Sequence, residues 1–294
     1  MNLLTIDIGG TKFTAALFEQ APNQQPRIIR RESRTTHREG GREWLLNEMT
    51  TLLPSLTDGK RLSACGVGFG GPVDFTTQRV ALSTHVSGWS GFPLRDHLQD
   101  QLHIPVIIDK DANVGALGEA KFGAGNDATD IQRPLFYMTL STGIGGGIIL
   151  NDDVIYRGAD SWAGEIGHVT IRPDGPECLC GARGCLERLC SGLWLERDHQ
   201  RSAQQLLQDP AFVRKYVVDL AQGIKTVVML LNPAQVIIGG GIAKAGDALF
   251  TPLRIELRRQ VTGWSGARVN VQQAALGDDS VLWGAFALAQ PLTK

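Results

Sequence analysis

No apolar run in the 294 residues approaches the roughly 18 needed to span a bilayer. The opening MNLLTIDIGG carries neither a basic leader nor a cleavage site. We therefore expect a cytoplasmic protein with no membrane role. An excess of one charge is missing too: 29 Lys and Arg stand against 30 Asp and Glu, for a net charge of −1. Without a stripe of cations interleaved with aromatics, nothing offers nucleic acid an electrostatic footprint. Cysteine is scarce, at five residues. In a reducing compartment a cluster of so few thiols reads as a metal or reactive site before it reads as a disulfide framework. No low-complexity linker interrupts the chain, and its length suits two domains better than one.

Glycine is abundant by contrast, at 35 of 294 residues, well above the typical ~7%. The glycines cluster beside apolar strands, where a backbone must turn tightly or approach another group closely. LLTIDIGGTKFTAALFE reads as strand, glycine turn and strand. LFYMTLSTGIGGGIILND repeats the pattern far downstream, with Ser141 and Thr142 ahead of its glycines where the first copy has Asp7. Two such hairpins in separate halves point to duplicated subdomains, with a cleft between them as the expected ligand site. Helices over REWLLNEMTTLLPSL, FPLRDHLQDQL and ANVGALGEAKFG alternate with strands ACGVGF and IPVIID, which indicates an α/β fold. Downstream follow a long amphipathic helix from Asp209 to a proline, the strand AQVIIGG, a helix after Gly241 and a final helix SVLWGAFALAQ. The polar stretch from Asn23 to Gly41 reads as loops and an edge strand.

GVGFGG matches the dinucleotide fingerprint through Gly66, Gly68 and Gly71, but Pro72-Val73-Asp74 follows where a helix must open. Close approach to a small ligand and a purely structural turn both remain open. DIGGTK lacks P-loop spacing, yet it suits phosphate: Gly9 and Gly10 expose amides, Thr11 adds a hydroxyl, Lys12 a cation, and Asp7 can hold Mg²⁺ directly or through water. With STGIGGG as its second copy, the pair reads as a two-sided phosphate clamp. Gly240 and Gly241, where the strand of IIGGGIAKAG runs into a helix, would form a ledge for the adenosine.

Asp111 ends VIIDKD just before a helix, where it either points into a cleft or caps the helix. AGEIGH offers Glu165 and His168 shortly before CLCGARGC, whose Cys178, Cys180 and Cys185 suit a closed zinc site. Its fourth ligand would be His168 or Cys190. Such a site has no open position for water, so its task would be to fix a loop that aims Glu165 and Glu187.

Together these motifs resemble the ROK family (repressors, open reading frames and sugar kinases) of the actin-like ATPase superfamily. DIGGTK, GFGGPVD, DAN, STGIGGG, GEIGH, CLCGARGCLE, GGG and LGDDSVLWGA occur in the family's order over essentially the whole chain. The cysteine motif is highly specific, the single glycine loops are not. The resemblance implies a two-lobed, ribonuclease H-like fold, with a smaller lobe of residues 1–110 joined by a C-terminal helix at about 282–294, and a larger lobe of 111–281. It implies an ATP-dependent hexose kinase, usually a homodimer, with Mg²⁺ and a structural Zn²⁺. By position, Asp111 matches the catalytic base. Glu165, His168 and Glu187 match sugar ligands, with Gly71 and Lys110 also on the sugar side. His168, Cys178, Cys180 and Cys185 match zinc ligands, and Gly9 to Lys12, Thr142 and Gly143 match phosphate contacts.

Two positions depart from the family pattern. Lys110 stands where asparagine usually precedes the catalytic aspartate, and STHVSGWSGFPL lacks the asparagine common ahead of its Gly-Trp. Both lie on the sugar side. Glucose, phosphorylated at O6, is the expected substrate, with N-acetylmannosamine, N-acetylglucosamine, allose and fructose as alternatives. A sugar-responsive repressor would need a DNA-binding domain ahead of the hairpin that starts at Leu3. A catalytically weak sugar sensor is the remaining rival.

Overall fold

The computed structural model describes residues 1–83, 86–126 and 134–293. The chain forms two compact units: Met1–Lys121 with Arg157–Trp162 and Asp279–Lys294, and Phe122–Tyr156 with Ala163–Asp278.

Unit one is built on strands β1 (Asn2–Ile8), β2 (Lys12–Glu19), β3 (Arg27–Thr35) and β4 (Ala64–Phe69), a short ribbon of β5 (Val73–Asp74) and β6 (Arg79–Val80), and β7 (Val106–Lys110). The sheet order is β3-β2-β1-β4-β7, with β1, β4 and β7 parallel and the first hairpin antiparallel. β3 is the edge strand, and its arginines make surface ion pairs with Glu19, Asp58, Asp279 and Glu32. Charge of this kind suits an edge that must not pair with another chain. Helices α1 (Gly41–Thr57), α2 (Leu94–Leu102) and α3 (Asp111–Phe122) follow the strands as the alternation requires. Leu4, Ile6, Phe13, Leu45, Met49 and Ile108 contribute to one buried core.

The C-terminal helix (Ser280–Ala289) belongs to this unit and explains its glycines. A Cβ on Gly66 would lie 2.0 Å from the Ala285 carbonyl oxygen, and one on Gly68 would lie 2.3 Å from Val281 Cγ1. Gly284 meets α3 in the same way, 1.7 Å from the Val114 oxygen, and Gly118 would meet the Ser280 oxygen at 2.1 Å. The glycines of GVGFGG thus serve helix packing at Gly66 and Gly68.

Unit two contains β8 (Leu135–Leu140), β9 (Ile144–Ile149), β10 (Gln235–Gly239) and β11 (Asn270–Gln273), in the order β11-β10-β8-β9. β8 pairs antiparallel with β9 and parallel with β10, which pairs parallel with β11. This repeats the β2-β1-β4-β7 arrangement of unit one, with no equivalent of β3 among the described residues. Its helices are α4 (Leu186–Cys190), α5 (Gly192–His199), α6 (Ala203–Leu206), α7 (Pro210–Leu231) and α8 (Asp247–Val261). The Asp209 side chain accepts the Ala211 amide, Pro210 opens α7, and left-handed Asn232 closes it through the Val228 carbonyl. These are the expected start and stop devices of a helix. Val213, Val217, Leu220, Ile224 and Val227 recur at helical spacing and enter a second core with Met138, Leu140 and Ile238.

One expected element begins late. After Gly241 the chain makes only a short 3₁₀ turn (Ile242–Ala245), and α8 opens at Asp247 because Gly246, at φ 56° and ψ −137°, interrupts the helical path. Among the described residues no helix is long and apolar enough to cross a membrane.

Candidate active site

In unit one the parallel register brings the candidate residues level. Asp7 faces Gly68 and Gly68 faces Asp109, while Ile8, Phe69 and Lys110 align one step further. The carboxyl ends of parallel strands are where open α/β sheets bind ligands. The turn after β1 is closed by the Gly9 amide donating to the Lys12 carbonyl at 3.0 Å, and Thr36 Oγ1 holds the Gly9 carbonyl at 3.1 Å. Gly70 donates its amide to the Ile8 carbonyl at 2.8 Å. A Cβ there would meet Ile8 O at 3.0 Å, Gly9 Cα at 3.4 Å and Asp111 Oδ2 at 3.6 Å. The first glycine turn, Gly70 and the Asp111 carboxylate therefore converge. At Gly71 the amide donates to Phe69 O at 2.9 Å, and a Cβ would lie 2.8 Å from Leu82 O. Thr84 and His85 of the Gly-Trp loop lie outside the described residues.

Asp111 is the first residue of α3, and its Oδ1 accepts the amide of Ala112 at 2.6 Å. An N-cap side chain reaches two or three residues on, so this contact is of a different kind. Beneath it, Asp109 organises the turn into α3. Its Oδ1 accepts the Lys110 amide at 2.7 Å and Asn113 Nδ2 at 3.0 Å, and its Oδ2 accepts Arg157 Nε at 2.8 Å. Asp109 is 1% exposed and Lys110 3%. Sequence reasoning missed Arg157. Its one signal was a cation next to a glycine, Gly158, in a stretch leading to AGEIGH.

In unit two the second glycine turn is closed by Ser141 donating its amide to Gly143 O at 3.0 Å. The first amides of α5 support it from behind, Gly192 to Ser141 O at 2.7 Å and Leu193 to Thr142 O at 3.1 Å. Glu187, buried in α4, accepts the Ile144 amide on Oε2 at 2.8 Å, which ties it to the strand leaving this turn. Glycines bring Glu165 and His168 to the same strand. The Gly146 amide donates to Gly164 O at 2.9 Å, and a Cβ on Gly167 would sit 2.2 Å from Ile144 O. At the end of β10, Gly240 has a φ of 89° and its Cβ would meet Leu140 O at 2.5 Å, so packing dictates this glycine; around Gly241 the nearest such atom is Gln204 Nε2 at 3.8 Å.

His168, Cys178, Cys180 and Cys185 bring their ligand atoms within 4.8 Å of one another. Cys180 and Cys185 Sγ are 3.6 Å apart, and Cys178 Sγ lies 3.9 Å from His168 Nδ1. Four soft donors about a tetrahedral ion with metal–sulfur bonds of about 2.3 Å would be roughly 3.8 Å apart, so the set fits zinc. Left-handed Gly181 and Gly184 wrap the loop, and a Cβ on Gly184 would come within 1.6 Å of Arg172 O. Burial, with the hydrogen bond to Cys180, pushes the Cys185 thiol up to about 12. At Cys180 burial also raises the thiol, but hydrogen bonds from the Ala182 amide, Cys185 and Cys178 bring it below its usual value. Cys190 is not among the four; its carbonyl accepts Tyr216 Oη at 2.8 Å in the core.

Two β-sheets of repeated topology, each opening with a glycine-turn hairpin, define an α/β protein of the actin-like ATPase fold. The chain belongs to the ROK family, whose model matches residues 3–291. It is 30% identical to a glucokinase of Thermotoga maritima, over 98% of this chain and 97% of the relative. The crystal structure of a ROK hexokinase from Thermus thermophilus superposes with a TM-score of 0.80 at 31% identity, covering 99% of this chain and 98% of that one. A ROK family glucokinase from Streptomyces griseus, in complex with glucose and AMPPNP, gives a TM-score of 0.84 at 27% identity, over 99% and 100% of the two chains.

Proposed function

We propose that the protein is a cytoplasmic ATP-dependent hexose kinase that transfers the γ-phosphoryl group of Mg-ATP to O6 of glucose. One observation carries the reading: the Asp111 carboxylate stands at the carboxyl end of a parallel strand beside Gly9 and Gly70, in a chain similar to glucokinases along nearly its full length. A sugar hydroxyl is a weak nucleophile, and a positioned carboxylate accepts its proton as the oxygen attacks phosphorus. Transition states of this transfer are loose, so most of the acceleration comes from alignment and from donors around the phosphates. Gly10, Thr11 and Lys12 would supply such donors from unit one, with Gly9 shaping the turn because its own amide is spent on the Lys12 carbonyl; Thr142 and Gly143 would supply them from unit two, with Gly240 and Gly241 beside the adenosine. Magnesium, bound with ATP, neutralises phosphate charge, and Asp7 would hold it directly or through water.

On the sugar side, Glu187 uses one carboxylate oxygen for the Ile144 amide and would present the other to a hydroxyl. With Nδ1 of His168 turned to Cys178, Nε2 would serve the sugar. Glu165 and Lys110 complete the set. A zinc ion held by His168, Cys178, Cys180 and Cys185 would be structural, because four protein ligands leave no position for water. Lys110 in place of the family's usual asparagine favours a second reading in which another aldohexose or an N-acetyl derivative is preferred. Membership of the family supports a homodimer.

ATP consumption measured against glucose, mannose, allose, fructose and the N-acetylhexosamines tests the proposal. A glucose-dependent rate well above every other sugar is expected. Turnover on none of them, with sugar binding retained, would identify a sensor instead.

A further inference from the structure

Arg188 directly follows Glu187 in α4, yet its side chain turns to the loop that carries the cysteines. Its Nε donates to the Glu177 carbonyl at 3.1 Å, and Glu177 is the residue before Cys178. Its Nη1 and Nη2 donate to the two carboxylate oxygens of Asp198 in α5, at 2.6 and 3.3 Å. The guanidinium carbon lies 4.0 Å above the ring of Trp194, which is also in α5. The guanidinium side chain is 12% exposed and largely shielded by its neighbours, while the Asp198 carboxylate, at 40%, stays open to solvent. A planar cation held on its face by an indole and on its edge by a carboxylate is fixed in orientation. The third edge is then aimed at one backbone carbonyl.

We propose that Arg188 is a positioning residue for the metal site, holding the Glu177–Cys178 arm of the cysteine loop against α5. This role rests on the reading of His168, Cys178, Cys180 and Cys185 as zinc ligands. Cys178 approaches the site from that arm, whereas Cys185 leads into α4. Without Arg188 the arm is held by backbone bonds within the loop, Cys178 N to Ala182 O, Gly181 N to Cys178 O and Gly184 N to Pro176 O, by the β-bridge between Glu177 and Arg183, and by the exposed Glu177–Arg183 ion pair. An exposed pair of this kind contributes little. Lysine does not replace the arginine, since one ammonium cannot stack flat on Trp194, pair with both Asp198 oxygens and reach the carbonyl together.

Groups that orient metal ligands from outside typically alter affinity about 10- to 100-fold. Zinc affinity is therefore measured by chelator competition on wild type, Arg188→Gln, Arg188→Lys and Asp198→Asn, with melting temperature recorded in parallel. Expected are about a tenfold or greater loss of zinc affinity in Arg188→Gln, little rescue by Arg188→Lys, and a smaller loss in Asp198→Asn, which keeps the arginine and guards against misfolding of the first variant. Unchanged zinc affinity in Arg188→Gln and Asp198→Asn, whatever their melting temperatures, overturns the role of Arg188 while leaving the metal site standing. A wild-type protein that binds no zinc overturns the metal site itself, and the positioning role with it.

Discussion

Arg157 Nε lies 2.8 Å from Asp109 Oδ2, and the guanidinium carbon stands 3.5 Å over the ring of Phe75. Asp109 is buried, so this ion pair fixes the very turn from which Asp111 projects. Removing the arginine leaves the buried Asp109 carboxylate without its ion partner, at a cost of about 3 kcal/mol. Arg157→Gln should lower the unfolding free energy by about that amount in urea titrations. A loss below about 0.5 kcal/mol would place the pair in the class of screened surface bridges.

Asp111→Asn is expected to reduce kcat by about 100-fold or more with the fold and ATP affinity nearly unchanged. The amide matches the carboxylate in size but cannot take the hydroxyl proton. Single-turnover rates together with nucleotide binding by calorimetry check this. Wild-type turnover in the variant would move the base elsewhere.

Metal analysis of freshly purified, unchelated protein should find about one zinc per chain. Cys180→Ser should then weaken glucose binding more than ATP binding, because the cysteine loop is continuous with Glu165, His168 and Glu187 and not with the first glycine turn. Equal losses for both ligands would show that the metal stabilises unit two as a whole.

Lys110 is buried and adjacent to Asp111 in sequence. An ammonium only donates hydrogen bonds, whereas asparagine donates and accepts. Lys110→Asn should change the ranking of glucose, allose, mannose and their N-acetyl derivatives by a factor of about ten. Specificity constants for the panel decide it, and an unchanged ranking excludes the lysine from the sugar site.

Much of this architecture was legible in the sequence. Both hairpins declare themselves because glycines interrupt alternating apolar strands, and α7 because Asp209, Pro210 and Asn232 mark its ends. The four metal-ligand candidates were visible as residue types at close spacing, and the structure gathers them. Other features have no local signature. β11 is four residues long, with only Val271 buried, too little for a pattern of period two to register. Arg157–Trp162 groups with unit one, to which it is bonded through the Arg157–Asp109 ion pair, the Arg157–Phe75 stacking and the Phe75 amide donating to Ser161 Oγ at 3.1 Å, all partners distant in sequence. The glycines of GVGFGG were ambiguous between ligand and packing because the atoms they accommodate, in Val281 and Ala285, lie far away in sequence.

That packing of Ser280–Ala289 onto β4 also sets an order of events in folding. The strands of unit one emerge before unit two in synthesis, but the helix packed over Gly66 and Gly68 is made only after it. Loop closure over so long an intervening chain is entropically slow, and until it occurs the groove exposes apolar backbone-lined surface. Unit two, whose segments all precede Ser280, can complete its own core first. During synthesis the chain of the half bearing the cysteine loop is therefore complete before the half bearing Asp111 has its closing helix.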